Sequence, residues 1–380
     1  MSTVTDILEK ARSATSFDDF GEDSFREGLE RLLVALDREA RLTDAGRAAL
    51  DQMITNLLSN RLQVEHWYHL HPEIDEQEIV APLIGLGAPR TGSTALACLL
   101  AEDPAVRSLR TWESGSPCPP PESETENIDP RILAAEQGLA HQFKAYPRMR
   151  SMLPQSATSP TECQNFMGYD FKSQIFFPVA DVPSYRDWLC NEADLVPTYR
   201  YVKRVLKLLQ WRCPPHKWRL KNPSHSMFIG ALTEVFPDAR FWMTHRSITS
   251  VIPSVSDLYF EMMSAFSDDV DKKAIGQMNV EFWETALERL IAFRAAGNDS
   301  RFHDIHFRPF MADPIASIAE LYAFLGEEFT PEARARMDAW RRDTPRDKHG
   351  SHEYDASKFD LDNDEIKRRF AFYSTRFGLD

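Results

Sequence analysis

The sequence Ile84-Gly-Leu-Gly-Ala-Pro-Arg-Thr-Gly-Ser-Thr94 decides the fold of this chain. An apolar run over 79–84 predicts a short buried strand, and leucines at helical spacing predict a helix over 94–100. A strand that enters a helix through such a tight turn leaves the first helical N–H groups unpaired, at the positive end of the helix dipole. The turn is therefore an anion site, and phosphate or sulfate is its natural occupant.

This loop differs from the two commonest nucleotide-binding loops. Gly87 and Gly92 keep the glycine spacing of the ATPase motif G-x-x-x-x-G-K-[ST], but Ser93 stands where that motif has its lysine. The positive charge lies inside the loop instead, at Arg90. The dinucleotide fingerprint also fails, because its third glycine is missing. A turn that merely joins a strand to a helix is a further interpretation of the loop by itself.

Composition excludes several classes of protein. The 380 residues can bury a large core, and contents of 43% apolar and 27% charged residues are ordinary for a soluble globular protein. The net charge of −14 argues against general binding to nucleic acid or to an anionic membrane surface. Five scattered cysteines without a CxxC pair predict reduced thiols and no zinc site. With no secretion signal and no apolar run near the ~20 residues of a membrane span, we expect a cytoplasmic protein without an integral membrane segment.

The hydrophobic pattern of the sequence predicts one domain over 1–380 and divides it into three parts. Helical periodicity predicts an N-terminal helical extension over 1–75. Strand and helix patterns alternate over 76–114 and 216–380, which predicts an α/β nucleotide-binding core with a P-loop-like central parallel sheet flanked by helices. The remaining part, 115–215, begins as a Pro-rich acidic linker and continues as aromatic-rich helical segments. Core packing explains most of these aromatics, and we predict that the insertion also forms a lid over an apolar acceptor pocket.

Polar residues stand where the predicted strands of the core end. A strand predicted over 106–112 ends at Trp112 and Glu113, Lys221 closes another, and Arg246 follows a third. Because the carboxyl ends of parallel strands meet at one edge of a sheet, we expect these side chains in the crevice that holds Arg90. A guanidinium gives phosphate a forked, charge-assisted grip. For Glu113, a surface position at the end of its strand is an equally good interpretation.

Residues 87–94 resemble the 5′-phosphosulfate-binding loop of sulfotransferases that use 3′-phosphoadenosine 5′-phosphosulfate (PAPS), which runs Pro-Lys/Arg-x-Gly-Ser/Thr-Thr after the first strand. In that family an arginine that closes one strand and a serine eight residues later bind the 3′-phosphate, and Arg246 and Ser254 have this spacing. The resemblance is closest to bacterial members, which carry a Trp-Glu pair after the loop and a later Leu-Lys-Ser/Asn-Pro-x-His motif, here at 220–225.

The resemblance covers roughly 79–114 and 217–358, and it implies PAPS as donor, PAP as product and no metal. The residues that it assigns to the 5′-phosphate are Pro89, Arg90, Thr91, Gly92, Ser93 and Thr94. Arg90 and Lys221 would also stabilise the charge that develops on the bridging oxygen. Lys348 matches only loosely a late basic loop that folds over the 3′-phosphate in many members, and a solvated loop is an equally good interpretation of this stretch.

An acceptor hydroxyl or amine needs a base, and two catalytic candidates are available. Glu113 occupies the place where glycosaminoglycan sulfotransferases carry a catalytic glutamate. His225 lies near the position of the catalytic histidine in eukaryotic cytosolic members, although two residues further from the lysine than in that pattern. We favour Glu113 over His225.

The sequence therefore predicts an enzyme that transfers a sulfuryl group from PAPS to a small-molecule, lipid or glycan acceptor by in-line displacement. One alternative is a P-loop-type small-molecule kinase, which would need the lysine that the loop lacks. Another is a catalytically inactive nucleotide-binding or scaffold protein. Neither the acceptor nor the oligomeric state follows from the sequence.

Overall fold

A computed structural model of the chain describes residues 2–215, 217–344 and 355–379. Within them, one parallel sheet is flanked by helices, which confirms the predicted α/β architecture. Its strands are β1 (Leu83–Leu86), β2 (Arg107–Ser108), β3 (Trp218–Lys221), β4 (Arg240–His245) and β5 (Phe302–His306). Their order across the sheet is β2-β3-β1-β4-β5.

The helices fall into groups around this sheet. Those before β1 are α1 (Val4–Thr15), α2 (Ser24–Arg38) and α3 (Asp44–Leu70), followed by a 3₁₀ turn, Pro72–Glu76. The helices that flank β2 are α4 (Ser93–Leu100) and α5 (Thr111–Gly115). Between α5 and β3 lie α6 (Pro130–Ala145), α7 (Pro147–Met152), α8 (Gln164–Gly168), α9 (Pro183–Asn191) and α10 (Val196–Gln210).

The later helices complete the helical layers on the two faces of the sheet. They are α11 (Ile229–Val235), α12 (Ile248–Met263), α13 (Lys272–Phe293), α14 (Phe307–Ala312), α15 (Pro314–Leu325), α16 (Pro331–Asp343), α17 (Asn363–Arg369) and α18 (Ala371–Phe377). A 3₁₀ turn, Pro223–Ser226, follows β3.

Strand β1 lies in the middle of the sheet and is buried along its whole length. It pairs in parallel with β3 on one side and with β4 on the other, with Gly85 opposite both Lys221 and Trp242. A Cβ at Gly85 would come within 2.0 Å of the Trp242 ring, so only glycine fits there. Because β3 and β4 flank β1, the loops after all three strands leave the sheet at one edge, where such sheets bind ligands.

Two apolar clusters cover the faces of the sheet. The larger one is continuous from the N-terminal helices through the insertion to one face of β1 and β4. The smaller one packs α4, α15 and α16 against the other face. The helical extension and the insertion therefore share a core with the sheet rather than packing on it as separate bodies.

Two elements of the structure differ from the elements that the sequence predicts. The strand expected over 106–112 shrinks to β2, and Trp112 and Glu113 lie instead on the short helix α5. The chain turns there because Glu113 accepts a hydrogen bond from the backbone N–H of Arg110, which caps the helix. The sequence predicts a helix that begins near Ser250 with Pro253 in its first turn; α12 begins instead at Ile248, so Pro253 lies in its second turn.

Candidate active site

The loop between β1 and α4 has the backbone of an anion-binding turn. Gly87, Arg90 and Gly92 have φ angles of 106°, 61° and 90°, in the left-handed region that glycine enters freely and arginine rarely. The backbone N–H of Gly87 donates to Ser226 Oγ at 2.8 Å, which ties the loop to the turn after β3. No side chain caps α4, so its first N–H groups open towards the loop.

The three hydroxyl residues of the loop are not equivalent. Thr91 is fully buried, and its Oγ1 donates to the Ala88 carbonyl at 3.0 Å and lies 2.5 Å from Thr244 Oγ1 on β4. That hydroxyl holds the loop against the sheet. Ser93 is mostly buried, whereas Thr94 is exposed at the start of α4. Of the three, Thr94 is the hydroxyl most open to a ligand.

The predicted phosphate-binding arginines meet in the structure. Arg246 Nη1 donates to the carbonyl of Arg90 at 3.0 Å, and Arg90 Nε donates to Ser254 Oγ at 3.1 Å. A further bond from Arg90 Nη1 reaches the Met152 carbonyl at 2.8 Å. The Arg246 guanidinium also lies 4.6 Å from the centre of the Phe307 ring. Two cationic groups, more than 150 residues apart in sequence, thus lie at one edge of the sheet.

Lys221 lies beside the loop as its position in the sheet predicts. Its partner across the β1–β3 pair is Gly85, two residues before the loop, and its Nζ lies 3.4 Å from Thr94 Oγ1. The side chain is almost completely buried. A buried ammonium needs a negative partner, because burial removes its hydration.

That partner is Glu162, which the sequence reasoning did not identify. Glu162 Oε1 accepts from Lys221 Nζ at 2.8 Å, and Oε2 accepts from Gln164 Nε2 at 2.8 Å. Its side chain keeps 26% of its surface exposed. The residue lies between α7 and α8 in the insertion. No local sequence signal points to it, because its contact with the site joins residues 59 apart in the chain.

Glu113 does not face the crevice, and the expectation that it does is corrected here. Its side chain has no exposed surface. Oε1 accepts from Arg107 at 2.6 Å and from Arg110 at 2.9 Å, while Oε2 accepts from the Arg110 backbone N–H at 3.0 Å. With both oxygens engaged and no solvent access, Glu113 holds α5 against the end of β2, and an acceptor cannot reach it in this arrangement.

His225 is also an interior residue. Only 1% of its surface is exposed, and its Nδ1 lies 2.9 Å from the Tyr199 hydroxyl. Burial lowers the pKa of His225 to about 3, because the charged imidazolium would lose its hydration. The ring is therefore neutral at physiological pH, and it belongs to the 3₁₀ turn whose Ser226 supports the loop. The structure gives it no open path to an acceptor.

The remaining predictions concern late residues and metals. Lys348 lies outside the described residues, so its predicted contact with the 3′-phosphate stays a prediction. Within the described ranges, no group of three His, Cys, Asp or Glu side chains is arranged to hold a metal ion. In the same ranges, no helix combines the length and the apolar composition that a membrane crossing requires.

Comparison with known proteins finds relatives of this chain. Residues 82–331 match a family model described as the sulfotransferase family. The crystal structure of sulfotransferase STF9 from Mycobacterium avium superposes with a TM-score of 0.93 at 32% identity, covering 100% of this chain and 98% of that one. Sulfotransferase STF1 from Mycobacterium tuberculosis H37Rv superposes with a TM-score of 0.87 at 30% identity, covering 98% of this chain and 99% of the other.

A curated relative matches over a shorter stretch. It is the omega-hydroxy-beta-dihydromenaquinone-9 sulfotransferase Stf3 of Mycobacterium bovis and of Mycobacterium tuberculosis, 28% identical over 113 residues. The match spans 28% of this chain and 28% of the relative.

Proposed function

This chain belongs to the sulfotransferase family, and on that premise we propose that it transfers a sulfuryl group from PAPS to the hydroxyl of a small-molecule or lipid acceptor. The observation that carries the proposal is the meeting of Arg90, Arg246 and Lys221 around one uncapped helix start. The printed name of the relative Stf3 describes a hydroxylated menaquinone as its acceptor, which supports an alcohol with a large apolar body.

The side chains at the loop fit a nucleotide with two separate anionic groups. The N–H groups at the start of α4, with Arg90, suit one phosphate, and Arg246 with the buried Ser254 hydroxyl suits a second. A Cβ at Gly92 would approach the Phe307 ring to 3.3 Å, so glycine keeps the backbone close to that wall of the site.

When bound, PAPS supplies the sulfuryl group: the acceptor oxygen bonds to sulfur, the bond from sulfur to the 5′-phosphate oxygen breaks, and PAP leaves. Lys221 and the loop N–H groups lie where they would stabilise negative charge on that departing oxygen. Such preorganised positive groups contribute most when water is excluded, and Lys221 is almost fully buried.

Glu162 is our candidate for the general base. A carboxylate is ionised at neutral pH and can take the acceptor's proton. Glu162 combines a hydrogen bond to Lys221 with a partly exposed side chain, whereas the side chains of Glu113 and His225 have almost no exposed surface. We therefore assign the proton transfer to Glu162 and the positioning of the departing phosphate to Lys221.

Thermal unfolding with PAP tests this function. We expect PAP to raise the melting temperature in the presence of EDTA. At a hundredfold excess over Kd, PAP binding should add about 2.7 kcal/mol to the free energy of unfolding. Each of Arg90→Ala and Arg246→Ala removes a charge-assisted contact worth ~1.5–3 kcal/mol and should weaken PAP binding about tenfold or more. Arg31→Ala, in an exposed ion pair on α2, serves as the control.

Two results would contradict the proposal. One is stabilisation by ATP with magnesium and none by PAP, which would favour the kinase alternative. The other is PAP binding without any PAPS turnover over a panel of phenols, steroids, lipid alcohols and sugars, which would favour an inactive nucleotide-binding protein.

A further inference from the structure

A groove runs along helix α6, in the insertion. None of the 16 residues of α6 is fully buried, although a helix in a globular protein normally buries one face. Leu139, Ala140 and Phe143 of α6 line the groove together with Pro154. Partly exposed apolar side chains gathered on one surface indicate a place where a ligand or partner binds.

The wall opposite α6 leads directly to the candidate active site. Pro154 lies two residues after Met152, whose carbonyl accepts a hydrogen bond from the Arg90 guanidinium at 2.8 Å. Because a residue advances the chain by at most ~3.6 Å, Pro154 lies within about 7 Å of Met152. Arg150 lies two residues before Met152, so the wall that carries Arg150 and Pro154 passes the loop arginine between these two residues.

The same segment connects the groove to the candidate base. Glu136 of α6 accepts a hydrogen bond from the backbone N–H of Ala157 at 2.6 Å. The chain continues from there to Glu162, which pairs with Lys221. One continuous segment thus lines the groove and carries the group that would take the acceptor's proton.

Two cations lie along the groove. Lys144 and Arg150 line it and are exposed, and neither has a carboxylate partner among the described residues. The neighbouring Arg148, in contrast, pairs with Asp257 at 2.8 Å and with Glu261 at 2.7 Å. Glu136 also lines the groove, but its carboxylate accepts from the backbone N–H of Ala157, so the two cations outnumber the acidic side chains of the lining and are complementary to an anionic group.

We propose that this groove binds the body of the acceptor, and that the acceptor is an elongated apolar alcohol with an anionic group remote from its hydroxyl. The hydroxyl lies at Glu162, the apolar body on Leu139 and Phe143, and the anionic end between Lys144 and Arg150. Eight residues of helix separate Glu136 from Lys144, which gives the groove a length of ~12 Å along α6. This inference rests on the proposed function, because it concerns the acceptor side of the same reaction.

Kinetics with three model acceptors test the groove: ω-hydroxypalmitate, its uncharged diol analogue and the short ω-hydroxybutyrate. We expect ω-hydroxypalmitate to have the lowest KM. The double variant Lys144→Gln/Arg150→Gln should raise that KM on the order of tenfold, as two exposed charge pairs allow, and leave kcat and the KM of the diol unchanged. Calorimetric binding of ω-hydroxypalmitate to the PAP complex should weaken by the same factor.

The matched control is Lys367→Gln/Arg368→Gln on α17, which removes the same charge from exposed positions of another helix. We expect this control to change neither KM nor binding. If the wild-type enzyme fails to bind PAP, the proposed function is wrong. If PAP binds but ω-hydroxypalmitate neither binds nor reacts, or if both double variants behave alike, the groove assignment is wrong and the function stands.

Discussion

Burial separates the two glutamates that contact cations near the candidate site. Glu113 has no exposed surface and accepts from Arg107 and Arg110, so it acts as an internal brace. Glu162 pairs with a single lysine and keeps about a quarter of its side chain exposed. The same residue type is therefore structural at one position and chemically available at the other.

A substitution at each glutamate tests this distinction. Glu162→Gln should lower kcat by about 10²–10⁴-fold, because the amide cannot take the acceptor's proton, while the variant still binds PAP. Glu113→Gln should lower the free energy of unfolding, because it leaves Glu126 as the one carboxylate paired with Arg107 and Arg110 among the described residues, and should change kcat little. Steady-state kinetics and urea unfolding of both variants measure these effects. Full activity in Glu162→Gln would return the base assignment to Glu113 or His225.

The buried imidazole of His225 makes stability depend on pH. Burial lowers the pKa of His225 to about 3, from an ordinary value of 6.5. Between these values the unfolded chain binds a proton at this residue and the folded chain does not, so the free energy of unfolding falls as the pH falls through that window. Above about pH 6.5 both states are neutral and this contribution is complete.

We therefore expect His225→Gln to lose less stability than the wild type between about pH 7 and about pH 4. Urea unfolding at a series of pH values measures the difference between the two proteins. Other titrating groups, such as the buried His245, are common to both proteins and cancel in that difference. Parallel pH profiles for wild type and variant would show that His225 does not titrate in this way.

At the scale of elements, the N-terminal helices are joined to the insertion by a buried ion pair. Arg61 of α3 and Asp170 after α8 are both fully buried, 3.3 Å apart. Arg61 also donates to the carbonyls of Phe20 and Glu22, both at 2.7 Å, and Asp170 accepts from the Thr198 hydroxyl at 2.6 Å. This network joins four stretches that are far apart in the sequence: 20–22, Arg61, Asp170 and Thr198.

Removing one charge of this pair should be costly. Asp170→Asn leaves the Arg61 guanidinium buried without a counter-charge, and we expect a loss of ~3–5 kcal/mol in the free energy of unfolding. The double variant Arg61→Met/Asp170→Asn should lose less than the sum of its single variants, because the two residues interact directly. Arg26→Ala, which breaks an exposed pair on α2, should change stability by only about 0.5 kcal/mol. Additive losses at Arg61 and Asp170 would contradict this coupling.

Local pattern determined most elements of the sheet domain. The apolar run before the loop and the leucines after it predicted β1 and α4 to within a few residues. Pattern failed at β2, where a predicted strand of seven residues became two residues followed by α5. The reason is tertiary: Glu113 caps α5 while its side chain pairs with Arg107, and neither contact can be read from hydrophobic periodicity.

For the whole molecule, the order of the strands decides what the loop can bind. With β1 between β3 and β4, the carboxyl ends of three strands bring Arg90, Lys221 and Arg246 to one edge of the sheet. The positive charge of the site is thus local in an acidic chain of net charge −14. The proposed binding of an anionic donor is compatible with this overall charge because neighbouring groups, rather than the distant net charge, dominate the field at the site.

The sequence by itself determined the tight turn between β1 and α4, the parallel α/β architecture and the placing of Lys221, Arg246 and Ser254 beside the loop. These follow from short-range spacing and from the rule that parallel strands end at one edge. Only the tertiary structure decided which acidic group stands open beside Lys221, and it selected Glu162 over Glu113. The physical reason is that exposure and ion pairing depend on contacts between segments far apart in the chain, and no local pattern encodes those contacts.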